Sequence, residues 1–139
     1  MGRQVLYGQS IGGAVSIALA SSPANSKHIH SMILENTFTS LPDLIPHVLP
    51  ALNSVRWLCH EKWDSAGQAA NIPKNVHILM LSGLMDEIVP KEQMATLKGL
   101  LEARGGEVVW RDFPKGTHST SFSFAVVVDI DMPYRFDYC

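Results

Sequence analysis

Three residues of this chain have the types and order needed for acyl transfer: a serine between glycines, an aspartate in a later turn, and a histidine in a turn after that. The serine is Ser10, in Gly8-Gln9-Ser10-Ile11-Gly12. A serine hydroxyl is a poor nucleophile at neutral pH. It needs an imidazole to take its proton and a carboxylate to hold that imidazole in the right tautomer. A G-x-S-x-G run serves such a serine when it forms a sharp elbow from strand to helix. The strained turn lifts Oγ clear of the backbone, and the flanking glycines keep β-carbons out of a crowded corner. The helix that follows aims its N-terminus at the reacting atoms, so the backbone N–H of Ile11 is expected to donate to the oxyanion. A phosphate-binding glycine loop is the rival reading. It fails on spacing, because Gly8, Gly12 and Gly13 fit neither G-x-G-x-x-G nor G-x-x-x-x-G-K-[ST].

The acid and base candidates are Asp86, in Ser82-Gly83-Leu84-Met85-Asp86, and His118, in Gly116-Thr117-His118. The chain order serine, acid, histidine is the one that accompanies this kind of elbow. Glu87 competes with Asp86 for the acid role, and the bland reading of Asp86 is a loop acid or a helix N-cap. The bland reading of His118 is a loop histidine satisfied by its neighbours. The remaining histidines lack a comparable setting: His28 and His30 fall in a polar loop, His47 and His60 in a proline-rich stretch, and His77 within a strand. His28-x-His30 has no cysteine or carboxylate cluster at ligand spacing, so neither a metal nor a cofactor is expected.

These residues need a scaffold that brings them to one edge. Short apolar runs at residues 3–7, 31–35, 76–81 and 107–113, each bounded by turn residues, read as buried strands. The stretch 11–20 is rich in small and apolar residues and reads as a mostly buried helix. In 91–103, Met94, Leu97, Leu100 and Leu101 recur at helical spacing and Gly105-Gly106 closes the run. Alternation of this kind predicts an α/β fold with about four parallel strands and flanking helices. Ser10, Asp86 and His118 then all follow strand C-termini, where parallel sheets bind ligands. Residues 41–71 depart from the pattern, since Pro42, Pro46, Pro50, Trp57 and Trp63 break any single helix; short helices in an excursion are expected.

The chain has 139 residues, 46% of them hydrophobic and 17% charged, with a formal charge of −2. This is the make-up of a soluble globular domain, and it gives no electrostatic footprint for nucleic acid. No apolar run is long enough to span a bilayer, and the start lacks the apolar core of a signal peptide. Two cysteines are too few for a disulfide framework. A soluble intracellular chain is the resulting expectation.

The quoted motifs also carry a resemblance. Gly8 to Val15, Ile33-Leu34-Glu35-Asn36-Thr37-Phe38-Thr39-Ser40, Leu81 to Pro90, and Phe113-Pro114-Lys115-Gly116-Thr117-His118 resemble the α/β-hydrolase domain-containing protein 13 group and its fungal and plant relatives, with Glu35-Asn36-Thr37-Phe38 the most specific stretch. The resemblance implies the C-terminal half of an α/β-hydrolase fold over residues 1–120. It implies a triad of Ser10, Asp86 and His118 acting on small-molecule or protein-linked acyl esters or thioesters. It also implies that the second oxyanion donor comes from a loop after an earlier strand. Residues 41–71, with Trp57, Leu58 and Trp63, are expected to be cap-like, or else plain core. Residues 121–139 match nothing in the family: Phe122, Phe124, Val126, Val128 and Ile130 alternate with their neighbours as in a strand. A truncated, non-catalytic chain that binds or regulates a partner is the alternative.

Overall fold

The computed structural model describes residues 4–51, 53–54 and 62–118. Four strands form one sheet in sequence order: β1 (Gln4–Gln9), β2 (Ile29–Glu35), β3 (His77–Gly83) and β4 (Val108–Phe113). Every neighbouring pair is parallel. Between them lie α1 (Ile11–Ser21), α2 (Pro23–Ser26), α3 (Leu41–Val48), α4 (Ser65–Ala69) and α5 (Lys91–Ala103). The α/β reading with four parallel strands therefore holds. β2 starts at Ile29, earlier than its apolar run, because His28 and Ile29 already lie beside Gln4 of β1. His30 is accordingly a strand residue, not a loop residue, and its ring meets that of His77 edge to face at 5.3 Å.

Period-two alternation sends the strands' side chains to two faces. One face, with Leu6, Met32, Leu34, Ile78, Met80, Val108 and Trp110, packs against Ile17 and Ala20 of α1, Ala69 of α4, and Met94, Leu97 and Leu101 of α5. The other gathers Val5, Ile33, Leu79, Leu81, Val109 and Phe113. In α1 the small residues Gly13, Ala14, Ser16 and Ala20 are buried. Ile11, Val15 and Leu19, spaced one turn apart, are exposed, so the helix is less completely buried than its apolar sequence predicts.

The excursion contains short helices, but Pro42 and Pro46 do not break α3, which runs through both. Ser40 caps α3 by accepting from the Asp43 N–H, and Pro42 sits in the first turn, where a missing N–H costs little. Leu41, Leu44 and Trp63 pack with Ala14, Phe38 and Val89. Trp57, Leu58 and the tail 121–139 lie outside the described residues.

Candidate active site

β1 ends at Gln9, and the chain turns at Ser10 into α1 with φ 52 and ψ −120. That backbone combination is sparsely populated for any residue with a side chain and costs on the order of 1–3 kcal/mol. Two contacts from the Glu35–Thr37 segment hold it, besides the Gly13 N–H that donates to Ser10 O at 3.0 Å. The Ser10 N–H donates to Glu35 O at 3.0 Å, and Ser10 O accepts from the Thr37 hydroxyl at 2.7 Å. The glycines around it have unequal roles. A β-carbon on Gly8 would collide with the backbone of Gly12 and Gly13, and one on Gly13 would stand 2.5 Å from Thr37 Oγ1. Around Gly12 nothing lies within 4 Å. The close approach thus belongs to Gly8 and Gly13, whereas the motif had placed it at Gly8 and Gly12. Ile11 opens α1, so its N–H has no acceptor within the helix, the geometry an oxyanion donor needs.

Beyond β3 the chain makes a tight turn: the Asp86 N–H donates to Gly83 O, and the Leu84 and Met85 N–H groups reach across to Phe113 O and Gly116 O. Asp86 uses both carboxylate oxygens. Oδ1 accepts from the Ile88 and Val89 N–H groups at 2.8 and 2.9 Å, and Oδ2 lies 2.9 Å from His118 Nδ1. The Asp86 side chain is only 3% exposed and that of His118 15%, so this pair is largely shielded from water. Glu87 is exposed and makes no bond to His118 among the described residues. The acid and base named from sequence are brought together. No hydrogen bond joins Ser10 Oγ to His118 among the described residues, a contact that often tightens only with substrate bound.

Two side chains missed by the sequence reading bond at the same sheet edge. Asn36, at φ 43, donates from Nδ2 to Thr117 O at 3.2 Å and His118 O at 3.3 Å, and its Oδ1 accepts from the Gly83 N–H at 2.8 Å. Gln9 Nε2 donates to His118 O at 2.5 Å. Asn36 had a signal, since it stands inside the most family-specific stretch; Gln9 occupies a variable position of the elbow motif and had none. Beside them the Tyr7 hydroxyl donates to the fully buried Glu35 carboxylate at 2.6 Å. Burial, then that hydrogen bond and the nearby charge, push the Tyr7 phenol well above its usual range.

No protein-family profile matches the chain. Individual proteins do. Protein bem46 of Schizosaccharomyces pombe is 47% identical over 116 residues, covering 83% of this chain and 37% of that protein. The membrane protein YNL320W of Saccharomyces cerevisiae is 38% identical over 115 residues, covering 83% and 39%. The α/β hydrolase domain-containing protein WAV2 of Arabidopsis thaliana is 34% identical over 128 residues, covering 84% and 40%. The chain is homologous to the bem46 and α/β-hydrolase domain-containing proteins. It spans about two fifths of the length of these relatives. Among solved structures, an acylaminoacyl peptidase of Pyrococcus horikoshii superposes with a TM-score of 0.71 at 20% identity, covering 86% of this chain and 20% of that one. An enol-lactonase of Burkholderia xenovorans gives 0.54 at 18% identity, covering 82% and 58%. At such identities the likeness is one of fold. The described sheet and helices share the fold of those two enzymes.

Proposed function

We propose that Ser10, Asp86 and His118 act as the triad of a serine hydrolase of acyl esters or thioesters. The observation that carries this reading is the shielded His118 Nδ1 to Asp86 Oδ2 bond on the same sheet edge as the strained Ser10. In the proposed reaction Ser10 Oγ attacks the acyl carbonyl while His118 takes the hydroxyl proton, and Asp86 stabilises the imidazolium. The Ile11 N–H donates to the oxyanion. His118 then protonates the leaving alcohol or thiol, and water releases the acyl group by the same steps.

The apolar character of the acyl group is supported by Ile11, Leu84, Met85 and Ile88, which are large, exposed and within two residues of Ser10 or Asp86. Residues 41–71 are proposed as a cap-like excursion within a partial domain spanning 1–120. Its anchorage supports this, because Leu41, Leu44 and Trp63 pack on Ala14 of the helix after Ser10 and on Val89 after Asp86. Among the described residues no helix is long and apolar enough to cross a membrane.

The test is hydrolysis of p-nitrophenyl acyl esters and acyl thioesters of increasing chain length by the purified chain and its Ser10→Ala variant. Turnover that requires Ser10 and rises with acyl length supports the reading. Folded protein without Ser10-dependent turnover overturns it for this chain, and leaves the alternative of a chain that binds or regulates a partner.

A further inference from the structure

Asn36 is buried, at 1% exposure, yet the proposed acyl transfer gives it no chemical step. Its left-handed backbone is one that Asn tolerates better than most residues. From there its amide spans two catalytic turns: Oδ1 accepts from Gly83 N–H in the turn that carries Asp86, and Nδ2 donates to the carbonyls of Thr117 and His118. Its backbone N–H is tied to Leu81 O at 3.2 Å. Gln9, immediately before Ser10, brings a second amide to the same His118 carbonyl. The residues on either side of Asn36 hold the nucleophile itself, Glu35 through its carbonyl and Thr37 through its hydroxyl. One tripeptide at the end of β2 therefore contacts all three turns.

We propose that Asn36 and Gln9 are positioning residues that set His118 against Ser10 through the His118 backbone carbonyl, with Asn36 also holding the Asp86 turn in register. This rests on the triad reading above. Two physical points support it. A carbonyl accepts from two donors at once, so His118 O is held from both β1 and β2 rather than by a single pivot. The donor must also be a neutral amide, because a carboxylate oxygen at the Nδ2 position would face two carbonyl oxygens across hydrogen-bond distance with no proton between them.

Asn36→Asp is the discriminating variant: it keeps the shape, the tolerance of the left-handed backbone and the Oδ1 acceptor for Gly83, and replaces the donor by a charged carboxylate oxygen. Gln9→Leu removes the other donor at a half-buried position. Two readouts apply to the full 139-residue chain. One is the rate of Ser10 labelling by a fluorophosphonate; the other is the downfield Nδ1–H proton resonance of His118, which reports the bond to Asp86. Asn36→Asp is expected to slow labelling by roughly 100-fold, the scale of an ångström-level misplacement, and Gln9→Leu by roughly tenfold, each with a weakened or lost His118 resonance. Folded variants that label at the wild-type rate with an unchanged resonance overturn the proposal. If Asn36→Asp does not fold, Gln9→Leu decides on the same two criteria. If the wild-type chain is not labelled, the triad reading fails first and the resonance alone decides the positioning role: lost in the variants, it stands; unchanged, it falls.

Discussion

Thr37 donates its hydroxyl to the backbone carbonyl of Ser10 at 2.7 Å, and the same side chain fills the space that a β-carbon on Gly13 would need. The Ser10 turn is thus fixed from just beyond the end of β2 by a contact that requires glycine where α1 crosses it. Helix propensity alone would favour alanine at both Gly12 and Gly13, so packing has to separate them.

Gly13→Ala is expected to destabilise the fold by about 2 kcal/mol, because Thr37 Oγ1 and Cβ would lie 2.5 and 2.6 Å from the new methyl group. Gly12→Ala meets nothing within 4 Å and gains helix propensity, so it is expected to stabilise by about 0.5–1 kcal/mol. Urea unfolding of the two variants measures both. Equal effects would remove the distinction between the glycines.

The backbone at Ser10 makes a second separation. Ser10→Ala and Ser10→Gly both delete the hydroxyl, but only glycine accepts φ 52 with ψ −120 without strain. Ser10→Gly is expected to be more stable than Ser10→Ala by about 1 kcal/mol, after allowing for the greater freedom of glycine in the unfolded chain. Thermal unfolding of the pair is the check, and an alanine variant at least as stable as the glycine one would show the elbow to be unstrained.

Arg104, at the end of α5, turns its guanidinium inward onto the carbonyls of Ile72, Pro73 and Val76, and burial lowers its pKa. Arg104→Met leaves those carbonyls without their charged donor and is expected to cost about 3 kcal/mol. Arg104→Lys should recover only part of that loss, since an ammonium cannot reproduce the planar fork. Full recovery in lysine, measured by urea unfolding, would reduce the contact to charge alone.

Tyr7 predicts a pH dependence. Its phenol is raised above the ordinary value of 10.0 by burial and by Glu35, so the folded state holds the proton more tightly than the unfolded chain. That contribution is fully present below pH 10.0 and declines as pH rises above it, because there the unfolded state releases the proton first. Tyr7→Phe should flatten the loss of stability on the alkaline side relative to wild type. Parallel curves for the two proteins above that pH would contradict the assignment.

The strands were legible because apolar runs that end in turn residues, Asn36 after Ile33 to Glu35 and Ser82-Gly83 after Ile78 to Leu81, leave little other choice. The contact of Asp86 with His118 was legible because both follow strands in the order that a serine, acid, histidine triad would need. Less local facts were hidden. Gly13 and Gly12 look alike in sequence, and only the approach of Thr37 from β2 separates them. The early start of β2 depends on the β1 partners that hold His28 and Ile29, which periodicity within one segment cannot reveal. Asn36 and Gln9 carry no acid–base signature; their contacts appear only when the ends of all four strands meet. Arg104, a charged residue at a helix end, reads as solvated until its carbonyl partners are known.

The central claim, that Ser10 is a nucleophile activated by His118 and Asp86, is met most directly by fluorophosphonate labelling of the purified chain followed by intact mass and peptide mapping. The predicted result is one adduct, on Ser10, absent from Ser10→Ala and formed roughly 10⁴-fold more slowly in Asp86→Asn, where the imidazole loses the partner that sets its tautomer. A folded protein that forms no adduct, or forms one elsewhere, would contradict it.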